Sequence, residues 1–273
     1  MSAPAKDAAV LLLDIGNSRL KWALLRAGGY RRADRFAARG ALELAQLRGG
    51  GVALRRLIDS IGPLAGITAC NVAGGAVEQQ LRSIARAAGL PRPRFIRSAS
   101  AAAGVRNAYA EPWRLGADRW ASLVGARAEH PHRALCLVAV GTAMTIDLID
   151  ERGRHRGGCI IPGPKLMVDS LLDRTAGILR RAGGRSAAAT LPARRAPIFA
   201  RDTRAAVAAG AVNAAAALVH EAVHSARLLL GRRPLLILSG GAADAVAVQL
   251  RLRHRREDDL ALRGLALLHS GRR

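Results

Sequence analysis

The chain has 273 residues, half of them hydrophobic, which is enough for one large domain or two smaller ones with cores of their own and excludes a disordered chain. Only 3% are aromatic, so alanine, leucine and valine must fill the core through many small contacts. The formal charge is +23 and only Lys6, Lys21 and Lys165 are lysines; the arginines lie scattered in ones and twos with no aromatic stacking set, which favours a plain arginine bias over nucleic-acid binding.

Cys70, Cys136 and Cys159 form no CxxC pair and leave an odd one over, as expected of a reduced, cytoplasmic protein. The apolar run Ala8 to Leu13 stops at Asp14, too short for a secretory leader. The uncharged run Ala134 to Ile146 is shorter than a membrane span, so no membrane association is expected.

In chain order, Leu11 to Leu13 reads as an apolar strand, Asp14 to Ser18 as a tight polar turn and Lys21 to Leu25 as a strand running back. The turn either only closes a hairpin or holds phosphate oxygens. Gly16 lets a ligand approach, Asn17 and Ser18 add polar groups, and Asp14 suits a water-shelled Mg²⁺. A third strand is expected over Tyr30 to Phe36, a helix over Ala41 to Ile61 broken at Gly49 to Gly51, and a buried strand over Gly66 to Val72. Val77 to Ala88 has helical spacing, with Gly89 as its cap. Pro93 to Arg97 is a short strand, Ala99 to Arg114 is irregular, and a helix starts at Leu115 to Trp120 and runs to about Glu129. His130-Pro131-His132 marks a joint between halves 1–130 and 131–273, with both histidines read as surface residues.

Beyond the joint the pattern restarts. Leu135 to Val140 is a strand, Gly141 to Thr145 a small-residue turn and Thr145 to Asp150 a returning strand, which places a weak duplication about 125 residues after the first hairpin. Arg154 to Ile161 is its third strand. Helices are expected over Lys165 to Arg181, Asp202 to Leu230 and Ala242 to Arg253, with a basic loop to Ala200 and a buried strand from Pro234 to Ser239 meeting Gly240-Gly241. These elements predict two similar α/β halves with a cleft between them.

No GxxxxGK[ST] or GxGxxG motif occurs, so phosphate would be held by the two hairpin turns, with Gly240-Gly241 offering a flat surface for adenosine. Asp118 at a helix start either serves the helix dipole or accepts a proton from a hydroxyl being phosphorylated, with Arg119 beside it to grip an anionic carboxylate. His220-Glu221-Ala222-Val223-His224 matches HExxH, but no convincing third ligand is near it in sequence apart from Glu257; it reads as a solvated helix face.

The stretches Asp14 to Lys21, Leu115 to Arg119, Gly141 to Thr145, Gly157 to Gly163 and Ser239 to Gly241, in this order over nearly the whole chain, resemble the type III pantothenate kinases of the acetate and sugar kinase, heat-shock chaperone and actin superfamily. The resemblance implies two actin-like, ribonuclease H-like domains and ATP-dependent phosphorylation of pantothenate with Mg²⁺, the first step toward coenzyme A. It implies ATP contacts from Asp14, Ile15, Gly16, Asn17, Ser18, Arg19, Leu20, Lys21, Thr142, Gly240 and Gly241, and Asp118 as the base. Pantothenate would be bound by Gly116, Ala117, Asp118, Arg119 and Tyr109, nine residues before Asp118, and by Thr203 across the interface of a homodimer. Many members carry an aspartate two residues before the second hairpin's glycine that holds a monovalent cation; Ala139 stands there, so that site is not expected. Two alternatives stay open: an accessory transcription or nucleic-acid-binding factor on the same fold, and a kinase for another small hydroxy acid.

Overall fold

The structure is a computed structural model and describes residues 8–26, 36–48, 51–183 and 190–271. The expected strand segment 30–35, the glycines at 49–50 and part of the basic loop, 184–189, lie outside the described residues. Contacts divide the chain into two units, one running to Pro131 and resuming at Asp259, the other His132–Asp258.

In the first unit the sheet is built from β1 (Ala9–Ile15), β2 (Arg19–Leu25), β3 (Phe36–Glu43), β4 (Leu64–Asn71) and β5 (Arg94–Phe95), in the order β3-β2-β1-β4-β5. Strand β1 is central, antiparallel to β2 and parallel to β4, and its run Leu11 to Leu13 is fully buried. One face is covered by α1 (Leu44–Arg48), α2 (Val52–Ile61) and α3 (Gly75–Ala87), whose Leu44, Leu54, Ile58, Leu81 and Ile84 pack with Leu11, Leu13, Ile15 and Leu20. Two further helices, α4 (Ala117–Glu129) and α9 (Leu260–His269), pack together and against the strands. They cross so closely that a Cβ on Gly264 would lie 1.8 Å from the Ala121 carbonyl oxygen, and one on Gly125 2.2 Å from that of Leu260. A side chain at either position would force the helices apart.

The second unit repeats the plan. Its sheet contains β8 (Leu135–Val140), β9 (Ala143–Ile149), β10 (His155–Pro162), β11 (Leu235–Ser239) and β12 (Arg255–Arg256), in the order β10-β9-β8-β11-β12. The order is that of the first sheet, strand for strand, and the hairpin glycines correspond: the Gly16 N–H donates to the Arg19 carbonyl at 2.9 Å, and the Gly141 N–H to that of Ala143 at 3.0 Å. Helix α7 (Thr203–Leu230) buries Ala215, Val219 and Val223 against Val138, Val140 and Ile146. At 28 residues and a mean hydropathy of 1.5 in its most apolar window, α7 is long and apolar enough to cross a membrane; here its buried face is a core face of the second unit. The remaining helices of this unit are α5 (Pro164–Arg174), α6 (Ala176–Arg181) and α8 (Ala243–Ala247).

Several elements differ from the sequence expectation. Strand β3 runs on to Glu43, so Ala41 to Glu43 are extended, paired with Arg19 to Lys21 of β2. The helix expected over Lys165 to Arg181 breaks at Thr175, which is extended and whose hydroxyl donates back to the Leu171 carbonyl. That expected over Ala242 to Arg253 shrinks to α8; just beyond it Gln249 is buried, accepting from the Ala196 N–H at 2.9 Å and donating to the Arg194 carbonyl at 3.2 Å. His130 is buried rather than on the surface, while His132 is exposed. The irregular stretch holds a small hairpin of β6 (Ala101–Ala102) and β7 (Val105–Arg106). Relative to a cut between 130 and 131, the contacts divide one residue later and return α9 to the first unit.

Candidate active site

The first group of expected site residues forms around the end of β1. Strand pairing places Asp14 opposite Lys21 on β2 and Cys70 on β4, so carboxylate, ammonium and thiol share one neighbourhood. The Cys70 thiol donates to Asp14 Oδ1 at 3.3 Å. Burial, and next the charge of Asp118, push the half-buried Asp14 carboxyl up to about 6, against the pull of Lys21 and Cys70. Lys21 Nζ also lies 3.9 Å from Asp259 Oδ1, and Asp259 Oδ2 accepts from Arg39 Nη1 at 2.8 Å. Neither Cys70 nor Asp259 was singled out from sequence. The register of β1 against β4 is what would have found Cys70.

The rest of the turn divides by exposure. Asn17, Ser18 and Arg19 are exposed, whereas the side chains of Ile15 and Leu20 are buried in the core and can meet a ligand through their backbone alone. Arg19 pairs with Glu43 at 3.1 Å, and the Ser18 carbonyl accepts from the Leu44 N–H at 2.9 Å, which ties the turn to the start of α1.

A second group lies at the start of α4, in the same unit. Asp118 is in the helix's first turn and its Oδ1 accepts from the Arg119 N–H at 2.8 Å, so one oxygen serves the helix start. Arg119 is buried, and its Nη1 donates to the Tyr109 hydroxyl at 3.3 Å, with the guanidinium 5.9 Å from the Tyr109 ring centre. Tyr109 is placed in turn by Asn107, whose Oδ1 accepts from the Tyr109 N–H at 3.0 Å while its Nδ2 donates to the Ala99 and Pro112 carbonyls. Ser98 donates to the Leu115 carbonyl at 2.7 Å, just before Gly116, the residue at the helix N-cap. Ala117 packs inward. The irregular stretch is therefore a hydrogen-bonded scaffold that brings Tyr109, Arg119 and Asp118 together, with the charge of Asp118 felt at Asp14.

Thr142, Gly240, Gly241 and Thr203 belong to the second unit. The exposed Thr142 sits in the β8–β9 turn, where its carbonyl accepts from the Gly163 N–H at 2.8 Å. Gly240 follows β11 and presses on Val140, and the Ala242 N–H donates to the Val140 carbonyl at 3.1 Å, so the glycine pair and the Thr142 turn meet. Thr203 opens α7 behind its N-cap Asp202, whose carboxylate accepts from the Ala205 N–H at 2.8 Å. Ala139 pairs with Thr145 and Ser239, the position in this sheet that Asp14 has in the other.

In the HExxH stretch Glu221 accepts from Ser225 at 2.7 Å, and His220 Nε2 accepts from the Arg251 N–H at 3.4 Å. Among the described residues no group of three or more His, Cys, Asp or Glu side chains is placed to hold a metal ion.

The profile of the type III pantothenate kinase family matches residues 10–225. A type III pantothenate kinase from Burkholderia thailandensis is 38% identical over 271 residues, covering 94% of this chain and 96% of the relative. The chain belongs to the type III pantothenate kinases. A second member of the family, from Nitrosococcus oceani, is 34% identical over 262 residues, covering 94% of this chain and 92% of its own. Among solved structures, an activator of 2-hydroxyisocaproyl-CoA dehydratase from Clostridium difficile, with bound ADPNP, aligns over 96% of this chain and 94% of its own with a TM-score of 0.51 at 12% identity. That likeness concerns the fold alone, which is the actin-like two-sheet plan. Neither a nucleic-acid-binding factor nor a kinase for another hydroxy acid is favoured by these relatives, and the family named from the motifs is the one found.

Proposed function

We propose that this kinase phosphorylates the terminal hydroxyl of pantothenate from ATP, with Asp118 as the base. The observation that carries the reading is the constellation of Asp118, Arg119 and Tyr109 at the start of α4, with Asp14 close enough to feel the charge of Asp118. Arg119 and Tyr109 bind the pantothenate carboxylate and orient the chain so that its hydroxyl meets the Asp118 carboxylate. As the hydroxyl oxygen attacks the γ-phosphorus, Asp118 takes its proton, the bond from the γ-phosphorus to the bridging oxygen breaks, and ADP leaves. The exposed N–H and hydroxyl groups of the Asp14 to Lys21 turn, with Thr142 and Gly240-Gly241, are read as the ATP contacts.

The donor set fits a magnesium ion. Burial, and next the charge of Asp118, hold the Asp14 carboxyl near pKa 6, so its ionised form is one that a hard cation beside it would stabilise. Asp14 would hold it through water, and Mg²⁺ when bound with ATP supplies charge neutralisation at the phosphates. Ala139 offers a methyl group where a carboxylate would be needed, so turnover is read as independent of potassium. We read the protein as a cytoplasmic homodimer in which Thr203 meets the pantothenate of the other subunit. Ile198 and Phe199, 72% and 89% exposed just ahead of α7, support this by offering apolar surface for such a contact.

The test is an ATP-coupled assay with pantothenate beside other hydroxy acids, run on the parent and on Asp118→Asn. Pantothenate turnover that collapses in the variant is expected; a fully active variant would remove Asp118 from the role of base. Light scattering tests the dimer, which a monomer at assay concentration would refute.

A further inference from the structure

The turn after β11 is gripped by a residue that sequence motifs do not mark. Arg256, on the edge strand β12, donates from Nη2 to the Gly240 carbonyl at 2.8 Å and from Nη1 to the Leu238 carbonyl at 3.4 Å. Its Nε donates to Asp244 Oδ1 at 2.9 Å, at the start of α8, and Nη1 also reaches Asp258 Oδ1 at 2.6 Å. One guanidinium thus spans the turn, from the carbonyl before it to the helix after it. From the other side Gly240 is pressed against β8: its φ is +97°, and a Cβ there would lie 2.4 Å from the Val140 carbonyl oxygen. The Gly240 backbone is trapped between Val140 and Arg256.

This clamp has a directional consequence. The peptide joining Gly240 to Gly241 is planar and trans, so its C=O and N–H point in opposite directions. By holding the carbonyl, Arg256 turns the Gly241 N–H away from itself. The Ala243 N–H donates to the same carbonyl at 3.2 Å, so Arg256 adds the second and charged restraint on a peptide that two glycines leave without side chains to restrict it. We propose that Arg256 is a positioning residue for the nucleotide: it fixes the Gly240-Gly241 peptide in the orientation that receives ATP, without touching ATP. This rests on the reading that Gly240-Gly241 borders the nucleotide. The ion pairs to Asp244 and Asp258 are secondary, since those side chains are 81% and 54% exposed and surface pairs contribute little.

The experiment compares Arg256→Gln, Arg256→Lys, Asp244→Asn and Gly241→Leu by calorimetric binding of a non-hydrolysable ATP analogue and by separate KM values for ATP and pantothenate. Arg256→Gln is expected to weaken analogue binding about tenfold, as loss of one charge-assisted hydrogen bond implies. KM for ATP should rise in step while KM for pantothenate stays within about twofold. Arg256→Lys, which keeps the charge but not the fork, should recover only part of the loss, and Asp244→Asn should bind like the parent. Unchanged analogue binding in Arg256→Gln, equal rises in both KM values, or a loss as large in Asp244→Asn would overturn the inference. Gly241→Leu separates it from the reading beneath it. If that variant also binds normally, the nucleotide is not at the glycine pair; if it alone loses binding, the pair is the site and Arg256 does not position it.

Discussion

In the first unit the central strand reaches its end with Asp14 between Lys21 and Cys70; at the same place in the second unit Ala139 stands between Thr145 and Ser239. Both sheets have the same strand order and both hairpins close on a glycine N–H, so the backbone is common to the two. The side chains are not. One hairpin gathers charge at a buried strand end, and the other presents a hydroxyl and main-chain groups. The two hairpins share one backbone plan, and the residues at three matched positions decide which of them gathers charge.

The comparison is broken most severely at the acids. Asp118→Asn should lower kcat by about a thousandfold with an unchanged unfolding temperature, measured by steady-state kinetics and calorimetry. Asp14→Asn should lower kcat on the order of a hundredfold, whereas Thr142→Ala in the matching hairpin should raise KM for ATP by only about five- to tenfold. Equal losses from the two hairpins would refute the division of labour. Tyr109→Phe removes one hydrogen bond from Arg119 and should raise KM for pantothenate by about threefold, leaving that for ATP alone.

A fourth measurement needs no substrate. The Asp14 carboxyl has a pKa of about 6 in the folded protein against an ordinary value of 3.8, so between those values the native state holds a proton that the unfolded chain has released. Stability of the metal-free protein should therefore fall as pH rises through that window, with the cost fully in place above about 6. Asp14→Asn should flatten this slope, and Ala139→Asn should leave it as it is. An identical slope in Asp14→Asn would show that the carboxyl is not held in this way. The smallest expected effect is at the second hairpin: replacing potassium by sodium should leave turnover within about twofold.

Much of this was legible in the residues. Apolar runs ending at glycine turns marked both hairpins, and Asp118-Arg119 at a helix start marked the second group. Tyr109 and Thr203 came from the family resemblance. What escaped depends on distance along the chain. Cys70 meets Asp14 only through a strand register set between residues 56 positions apart. Arg256 looked like one more arginine in a basic run. Helix α9 is announced only by Asp259 ahead of the apolar run Leu260 to Leu268, and that residue, left-handed at φ 59°, makes no capping hydrogen bond. The break at Thr175 went unmarked because a single β-branched residue is compatible with helix until its hydroxyl turns back on the chain.

Helix α9 also sets a timetable. The second unit is one continuous stretch and has all its residues once position 258 has been made, but the first lacks the helix that packs on α4 until residues 260–269 follow. The glycines at 125 and 264 then bring two backbones into contact across 139 positions of sequence, a long loop to close. The unit that carries Asp14 and Asp118 is begun before the second and completed after it, so a chain halted before Leu260 would hold both carboxylates on a unit still missing the helix that packs on α4.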